Sequence, residues 1–496
     1  MKKVFLILTL SIISFTCTSF TPHKWQHENH DTLTDNILRQ FTPDQNAYRL
    51  FHSIPEGLRH LSYGIYPISK GYDTARFNYN KRFNVFPNMI ITPRTKKEAA
   101  FTLRMLKKHH LPFSIRSGGH CIQATSLSSS YIFDLRHFNK ILPNVERQEV
   151  YIGAGALLGT VIEKLGAIDY AIPTGTCSSV GTGGLSLGGG LGVLGRVYGL
   201  TCDSIKSITF LTASGRVIEV NKKNHPDLFW ALRGAGNGSY GIVLGFTFKM
   251  HYVPHVSYLT LKWKWNQHTV HKVFQAWQAW IKTLPHTITT QLKLIYLNHK
   301  LSLQVTSLKV GKKDFTEWKK AFAHLHPKVQ LNKERYIDSA KKWADRSPFP
   351  FLKSKSEMIM KPLSYKPVQV AVNFFEKLKK NKENYFAFFE LEALGGKIAK
   401  GHTAYYPRKA EAWWYHAMYW DQPNQEQAAL DKLRKLHSDL APYVSKHSYA
   451  NIVDYDIGDN YLETYYGNHV NRLIRIKNKY DPENLFHWRQ SIPLKR

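Results

Sequence analysis

The sequence predicts an α+β protein of two domains, and three observations carry that reading. The chain has 496 residues, long for one ordinary domain. Its first half holds three glycine-rich turns, at 117–120, 173–203 and 234–241, each next to a short apolar strand pattern. Near residue 254 the texture changes to period-2 alternation interspersed with helical stretches. That is the pattern of an antiparallel sheet covered on one face by helices.

Taken in order, 88–93 reads as a buried strand and 95–109 as a helix, with Ala99, Leu103 and Leu106 on one face. The strand 112–116 runs into the turn Ser117-Gly118-Gly119-His120. Strands at 131–135 and 150–152 and a helix at 157–165 precede the stretch 173–203, in which ten of 31 residues are glycine. Nearly uncharged and rich in Val and Leu, this stretch is no linker. It reads as a wall of backbone N–H groups around a large phosphate-bearing ligand. Strands at 205–212 and 217–220, a helix at 226–232 and a strand at 242–248 complete this half. Beyond 255, strands are expected at 258–265, 290–297, 301–307, 385–394 and 410–420. Helices are expected at 274–284, 314–324 and 425–440. The stretch 333–365 is irregular and basic, a candidate lid. A helix around Leu473, Ile476 and Tyr480 ends at Asp481-Pro482.

The first 20 residues have the form of a bacterial secretory leader: Lys2 and Lys3, an apolar run at 4–15, then small residues. The run is too short to span a bilayer, and no later stretch is long and apolar enough to do so. This predicts an exported protein, periplasmic or secreted, with an arm at 21–70 that includes an amphipathic stretch near 34–41. A domain at 71–254, a second at 255–445 and a terminal segment at 446–496 follow. Three cysteines remain past the leader, Cys121, Cys177 and Cys202, so at least one stays unpaired. A Cys121–Cys202 bridge is open. No CxxC or HExxH pattern predicts a metal. The net charge of +32 would suit an anionic partner. However, the lysines are spread along the chain and no nucleic-acid motif accompanies them, so no specific nucleic acid is expected.

Three anchors together resemble the berberine-bridge-enzyme-like family of FAD-linked oxidoreductases, within the vanillyl-alcohol-oxidase (PCMH-type) flavoprotein fold. They are Arg116–His120; the glycine pattern from Gly175 to Asp203; and the run from Tyr465 to Ile492 that contains YYG, KYDP and QSI. The resemblance covers roughly 70–496. It implies a PCMH-type FAD domain of two α+β subdomains, a substrate domain on an antiparallel sheet, and a terminal segment returning to the FAD domain. It also implies flavin contacts from Arg116, Ser117, Gly118 and Gly119, from Gly181, Gly183, Gly184, Gly188 and Gly190, from Gly241 and Ile242, and from Tyr466 and Asn468. In such proteins the flavin is bonded covalently to the histidine and, in bicovalent members, to the cysteine at the positions of His120 and Cys177. Imidazole and thiolate are nucleophilic enough for that bond. A turn-capping His and a buried Cys are the alternatives. Valine at the position of Val180 goes with oxygen access in similar proteins, although it also suits ordinary packing.

Two departures stand out. Leu185 replaces a common histidine. Tyr449-Ala450-Asn451-Ile452 has Ile452 where relatives often carry a second tyrosine, a frequent base. Tyr449 could then serve, or a carboxylate could. Glu390 and Glu392 alternate onto one face of their strand, and a partly buried Glu is a base near neutral pH. A solvated sheet face is the alternative. Trp413, Trp414 and Tyr415 would line the cleft or pack. The expected reaction is oxidation of a sugar, oligosaccharide or phenolic alcohol, hydride passing to the flavin and O2 reoxidising it to peroxide. A quinone-reducing dehydrogenase or a flavin-carrying binding protein without turnover are the other readings.

Overall fold

The computed structural model describes residues 51–495, apart from 52, 60, 312–313 and 344–349. The expected leader, most of the arm and its amphipathic stretch lie outside the described residues. The arm's last part does not stand off as an arm. Ile54 and Leu58 are fully buried in the same core as Leu103 and Leu106.

The first half builds two sheets. One has four strands in the order Gly64–Ile65, Met89–Ile91, Tyr131–Asp134, Phe113–Arg116, the last three parallel. The helix Lys96–Lys108 makes the crossover between two of them, and its ends are well specified. The Thr95 hydroxyl accepts from the Glu98 amide at 3.1 Å while Glu98 accepts from the Thr95 amide at 3.3 Å, a capping box. Lys107 and Lys108 sit at the negative end of the helix dipole. The other sheet is antiparallel, in the order Ile141–Asn144, Glu149–Gly153, Ile242–Lys249, Ile205–Leu211, Val217–Asn221.

The second half builds a seven-stranded antiparallel sheet. Its order is Lys328–Arg335, His255–Trp263, Lys300–Val310, Ile288–Leu297, Phe386–Ala393, Ala412–Trp420, Phe351–Ile359. Helices Gln267–Thr283, Tyr365–Lys380 and Glu426–Leu440 supply the core of one face: Phe274, Trp277, Phe375 and Leu433 pack with Leu261, Leu292 and Trp414 of the sheet. Alternation leaves the other face to polar residues such as Thr260, Lys262, Gln291 and Lys293, which look toward the glycine-rich half. The segment that ends the chain goes back to the first core through helices Tyr461–Tyr466 and Val470–Tyr480, burying Tyr465, Leu473 and Ile476 there.

Three expectations need correction. The stretch 333–365 is not an irregular lid. Its described parts hold the end of strand Lys328–Arg335, helix Tyr336–Trp343 and the sheet strand Phe351–Ile359. The charges that disguised that last strand are buried and paired: Lys355 Nζ lies 2.6 Å from Asp454 and 2.8 Å from Asp456, and Glu357 accepts from His437 at 2.7 Å. The helix expected at 314–324 is only Trp318–Phe322 plus a short 3₁₀ turn. The glycine stretch is also more regular than expected, with a helix at Thr182–Leu187 and a turn of helix at Gly195–Tyr198. Among the described residues, no helix is long and apolar enough to cross a membrane.

Candidate active site

Two of the glycine turns meet face to face. A Cβ on Gly118 would lie 2.3 Å from the Gly181 nitrogen, and one on Gly181 would lie 2.2 Å from the Gly118 nitrogen. Only glycine at both positions lets the backbones touch. This contact joins the turn after strand Phe113–Arg116 to the loop that carries Cys177 and Val180. Ser117 Oγ donates to the Ala154 carbonyl at 2.5 Å and anchors the turn. His120 stacks on Tyr79 with ring centroids 3.8 Å apart, and its Nδ1 is 3.1 Å from Ser179 Oγ. Burial pushes its pKa down to about 4, so the imidazole is neutral. The helix Thr182–Leu187 then starts against Ala154 and Ala156, with the Thr182 and Gly183 amides each 2.9 Å from those carbonyls.

The polar face of the seven-stranded sheet forms the opposite wall. Glu390 and Glu392 project from strand Phe386–Ala393. Lys293 of the neighbouring strand lies 3.0 Å from Glu390. Burial, the largest single cause, would lower the Lys293 pKa, but the charge and hydrogen bond of Glu390 together with Tyr258 and Glu392 outweigh it and the net shift is upward. Glu392 Oε2 accepts from Gln291 at 2.9 Å. Its Oε1 is buried and has no hydrogen-bond partner among the described residues, and the same holds for the indole Nε1 of Trp413, a residue directly opposite on the next strand. Burial first, and the Glu390 charge second, raise the Glu392 pKa to about 7.

Between the walls runs the segment with Tyr449, Asn451 and Ile452. The Tyr449 oxygen accepts from three donors: the amides of Gly190 at 2.8 Å and Leu191 at 3.2 Å, and Asn451 Nδ2 at 2.8 Å. Burial raises its pKa to about 12 even though these donors pull the other way. Asn451 also donates to the Leu185 carbonyl at 3.0 Å and accepts from Asn237 at 3.1 Å. Strand Phe351–Ile359 holds the segment from behind, through the Met358 amide on the His447 carbonyl at 2.8 Å, Ser356 Oγ on the Tyr449 amide at 3.2 Å, and the Lys355–Asp454 pair.

A cleft of about 2730 Å³ lies between these walls. It brings together Ser117, Gly118, Gly119, His120, Cys177, Val180, Gly181, Gly183, Gly184, Gly241, Glu390, Glu392, Trp413 and Tyr449. Six expected cofactor contacts do not line it. Arg116 is buried in an ion pair with Asp134 at 2.5 Å. Gly188 is a glycine because a Cβ there would meet the Asn451 Oδ1 at 2.0 Å, and Gly190 because one there would meet Thr201 Oγ1 at 2.1 Å. Ile242 and Tyr466 belong to the first core, and Asn468 is exposed. Cys121 and Cys202 are both free thiols, so the Cys121–Cys202 bridge is not made. Cys202 is buried beside Thr403, its pKa raised to about 12 by burial, whereas Cys121 faces the cleft and accepts from Thr125 at 2.9 Å. The sequence reading missed Gln291 and Lys293, although the alternation of their strand carries the signal. Tyr79 and Asn237 have no local signal.

FAD suits this cleft on its own terms. A Cβ on Gly184, in the first turn of helix Thr182–Leu187, would meet nothing within 4 Å, so space for a ligand is left there on the cleft wall. Asn237 Oδ1, also on the wall, is buried without a partner.

Comparison with known proteins agrees. A family model described as "FAD binding domain" matches residues 87–221, and one described as "Berberine and berberine like" matches 448–493. The chain is 32% identical over 438 residues to the uncharacterized FAD-linked oxidoreductase YgaK of Bacillus subtilis, a match spanning 85% of this chain and 94% of that one. The fold is similar to BBE-like 1 of Physcomitrella patens, with a TM-score of 0.79 and 26% identity over 87% of this chain and 97% of that one. It is also similar to the xylooligosaccharide oxidase of Myceliophthora thermophila C1 in complex with xylobiose, with a TM-score of 0.78 and 23% identity over the same shares.

Proposed function

The chain belongs to the berberine-bridge-enzyme-like family of FAD-linked oxidoreductases, and from that premise we propose that it is an exported oxidase of an alcohol carbon in a sugar or oligosaccharide. The observation that carries this reading is the pair of unpartnered buried atoms Glu392 Oε1 and Trp413 Nε1, side by side on the cleft wall. A buried polar atom left unpaired costs about 1–3 kcal/mol. A substrate hydroxyl would relieve both, its oxygen accepting from Trp413 and its proton passing to Glu392. With a pKa of about 7, Glu392 is ionised in a large fraction of molecules at neutral pH and is a competent base. Gln291 orients its other oxygen, and the Lys293–Glu390 ion pair stands beside it.

Ser117–His120, Cys177, Val180, Gly181, Gly183 and Gly184 would hold FAD, with neutral His120 and the Cys177 thiol as the two covalent attachment points. When bound, FAD supplies the two-electron acceptor, with dioxygen as the final oxidant and hydrogen peroxide as its product. Val180 on the wall leaves room for oxygen. The leader at 1–20 puts the enzyme outside the cytoplasm. The oligosaccharide oxidase that shares the fold, and the amides and hydroxyls of the sheet face, support a sugar over a phenol.

Intact mass of the denatured protein tests the attachment. FAD mass should persist in His120→Ala and in Cys177→Ala and disappear only in the double variant; release of FAD from the denatured wild type would overturn it. Peroxide release across a panel of sugars tests the reaction, and slow reoxidation of the reduced enzyme by oxygen in stopped flow would sink the oxidase reading.

A further inference from the structure

The chemistry above makes no use of Lys262, a cation of the sheet wall. Facing the cleft, a row of directly opposed residues crosses five strands: Lys262, Gln304, Lys293, Glu390 and Tyr415. Lys293 is neutralised by Glu390. Lys262 is half-buried and meets no acid among the described residues; directly opposite it on its other side is Lys328. Burial first, and then the Lys328 charge, disfavour its ammonium form. A half-buried ammonium without a counter-charge gains a charge-assisted hydrogen bond from any anion that a ligand brings.

The position of Lys262 also sets a length. It is three strands from Glu390, and strands about 4.8 Å apart put the two backbones about 14 Å apart. A ligand reaching from Glu392 to Lys262 therefore needs more than one sugar ring. Gln291, Thr306 and Gln304 lie between, neutral groups suited to hydroxyls. We propose that the cleft takes an acidic oligosaccharide, with the carboxylate of a unit remote from the oxidised carbon bound by Lys262 Nζ. This rests on the sugar-oxidase reading and specifies its substrate.

The test compares a uronic-acid trimer with the neutral trimer of the same linkage, on the FAD-loaded wild type, Lys262→Met and Lys262→Arg. In the wild type, kcat/KM for the acidic trimer should exceed that for the neutral one by about tenfold, as a single hydrogen-bonded charge allows, and raised salt should erode the gap. Lys262→Met should remove the preference, chiefly through KM for the acidic trimer, and Lys262→Arg should restore it. Equal kcat/KM for both trimers in the wild type, or a preference that survives Lys262→Met, overturns the proposal and leaves the sugar-oxidase reading standing. If neither trimer reduces the flavin, the sugar-oxidase reading falls instead. Binding, read as a shift of the flavin absorbance, then decides the Lys262 site: a shift with the acidic trimer that Lys262→Met abolishes supports it, and no shift overturns it.

Discussion

Replacing Glu392 by Gln should move activity and stability in opposite directions. The Glu392 carboxyl is raised from an ordinary 4.5 to about 7, by burial first and by the Glu390 charge second. In the unfolded chain it titrates near its ordinary value. Between the two values the folded protein keeps a proton that the unfolded chain has released. Stability therefore falls as the pH rises through that window and levels off above about 7. At about 1.4 kcal/mol per unit, the ionised carboxylate costs the fold about 3 kcal/mol. Glutamine keeps the size and an acceptor for Gln291 but has no proton to lose. In urea unfolding of the FAD-loaded enzyme, Glu392→Gln should match the wild type at pH 4 and be about 3 kcal/mol more stable at pH 8. Its turnover should fall by about 10²–10⁴, the usual contribution of a general base. In the wild type, kcat/KM should rise with pH to about 7 and then stay level. A variant that retains turnover within about tenfold would refute the assignment of the base, and one no more stable than wild type at pH 8 would refute the buried-carboxylate account.

Other consequences follow from single contacts. Gly184→Leu should fold normally by circular dichroism, since a Cβ there meets no protein atom within 4 Å, yet carry far less FAD per protein by absorbance; full loading would show that the flavin lies elsewhere. Lys355→Met takes one ammonium partner from the buried Asp454 and should cost about 3 kcal/mol in urea unfolding; a loss well under about 1 kcal/mol would mean the pair is dispensable. His416 is fully buried, its pKa lowered to about 4 by burial. The unfolded chain takes up its proton first as pH falls from 6.5, so this group's contribution should fall by about 3 kcal/mol toward pH 4, offsetting the gain from Glu392 over the same window. His416→Gln should therefore gain stability relative to the wild type as pH falls from about 7 to about 4 in urea unfolding, and an unchanged difference would assign the acid loss to other groups.

The legible parts of this molecule are those specified locally. The helix Lys96–Lys108 is announced by Ala99, Leu103 and Leu106 at helical spacing, and the glycine turns by glycines next to apolar strands. What escaped depends on partners far along the chain. Strand Phe351–Ile359 reads as a basic loop because Lys353 and Lys355 look like surface residues, and only Asp454 and Asp456, about a hundred residues later, make them buriable. Glycine itself was ambiguous. Gly184 leaves space at the cleft, whereas Gly188 and Gly190 make room for Asn451 and Thr201, and no spacing rule separates the two uses. The alternation of residues 290–297 defines a polar face but cannot say that the face looks into a cleft rather than into water.

The departure at Ile452 bears on which group is the proposed base, and the donors on each candidate oxygen differ. The Tyr449 oxygen already receives three hydrogen bonds, two of them from the glycine wall and one from Asn451. Those bonds fix the segment to the wall, while burial still holds the phenol near 12. Glu392 presents the opposite balance: one oxygen fixed by Gln291, the other free and facing the cleft, and a pKa about five units lower. A group whose oxygen is saturated with donors is held in place, and a group with one bare oxygen and a pKa near neutrality is poised to take a proton. These contacts support Tyr449 as the residue that positions the segment between the two walls and Glu392 as the proposed base, a reading that needs no second tyrosine at residue 452.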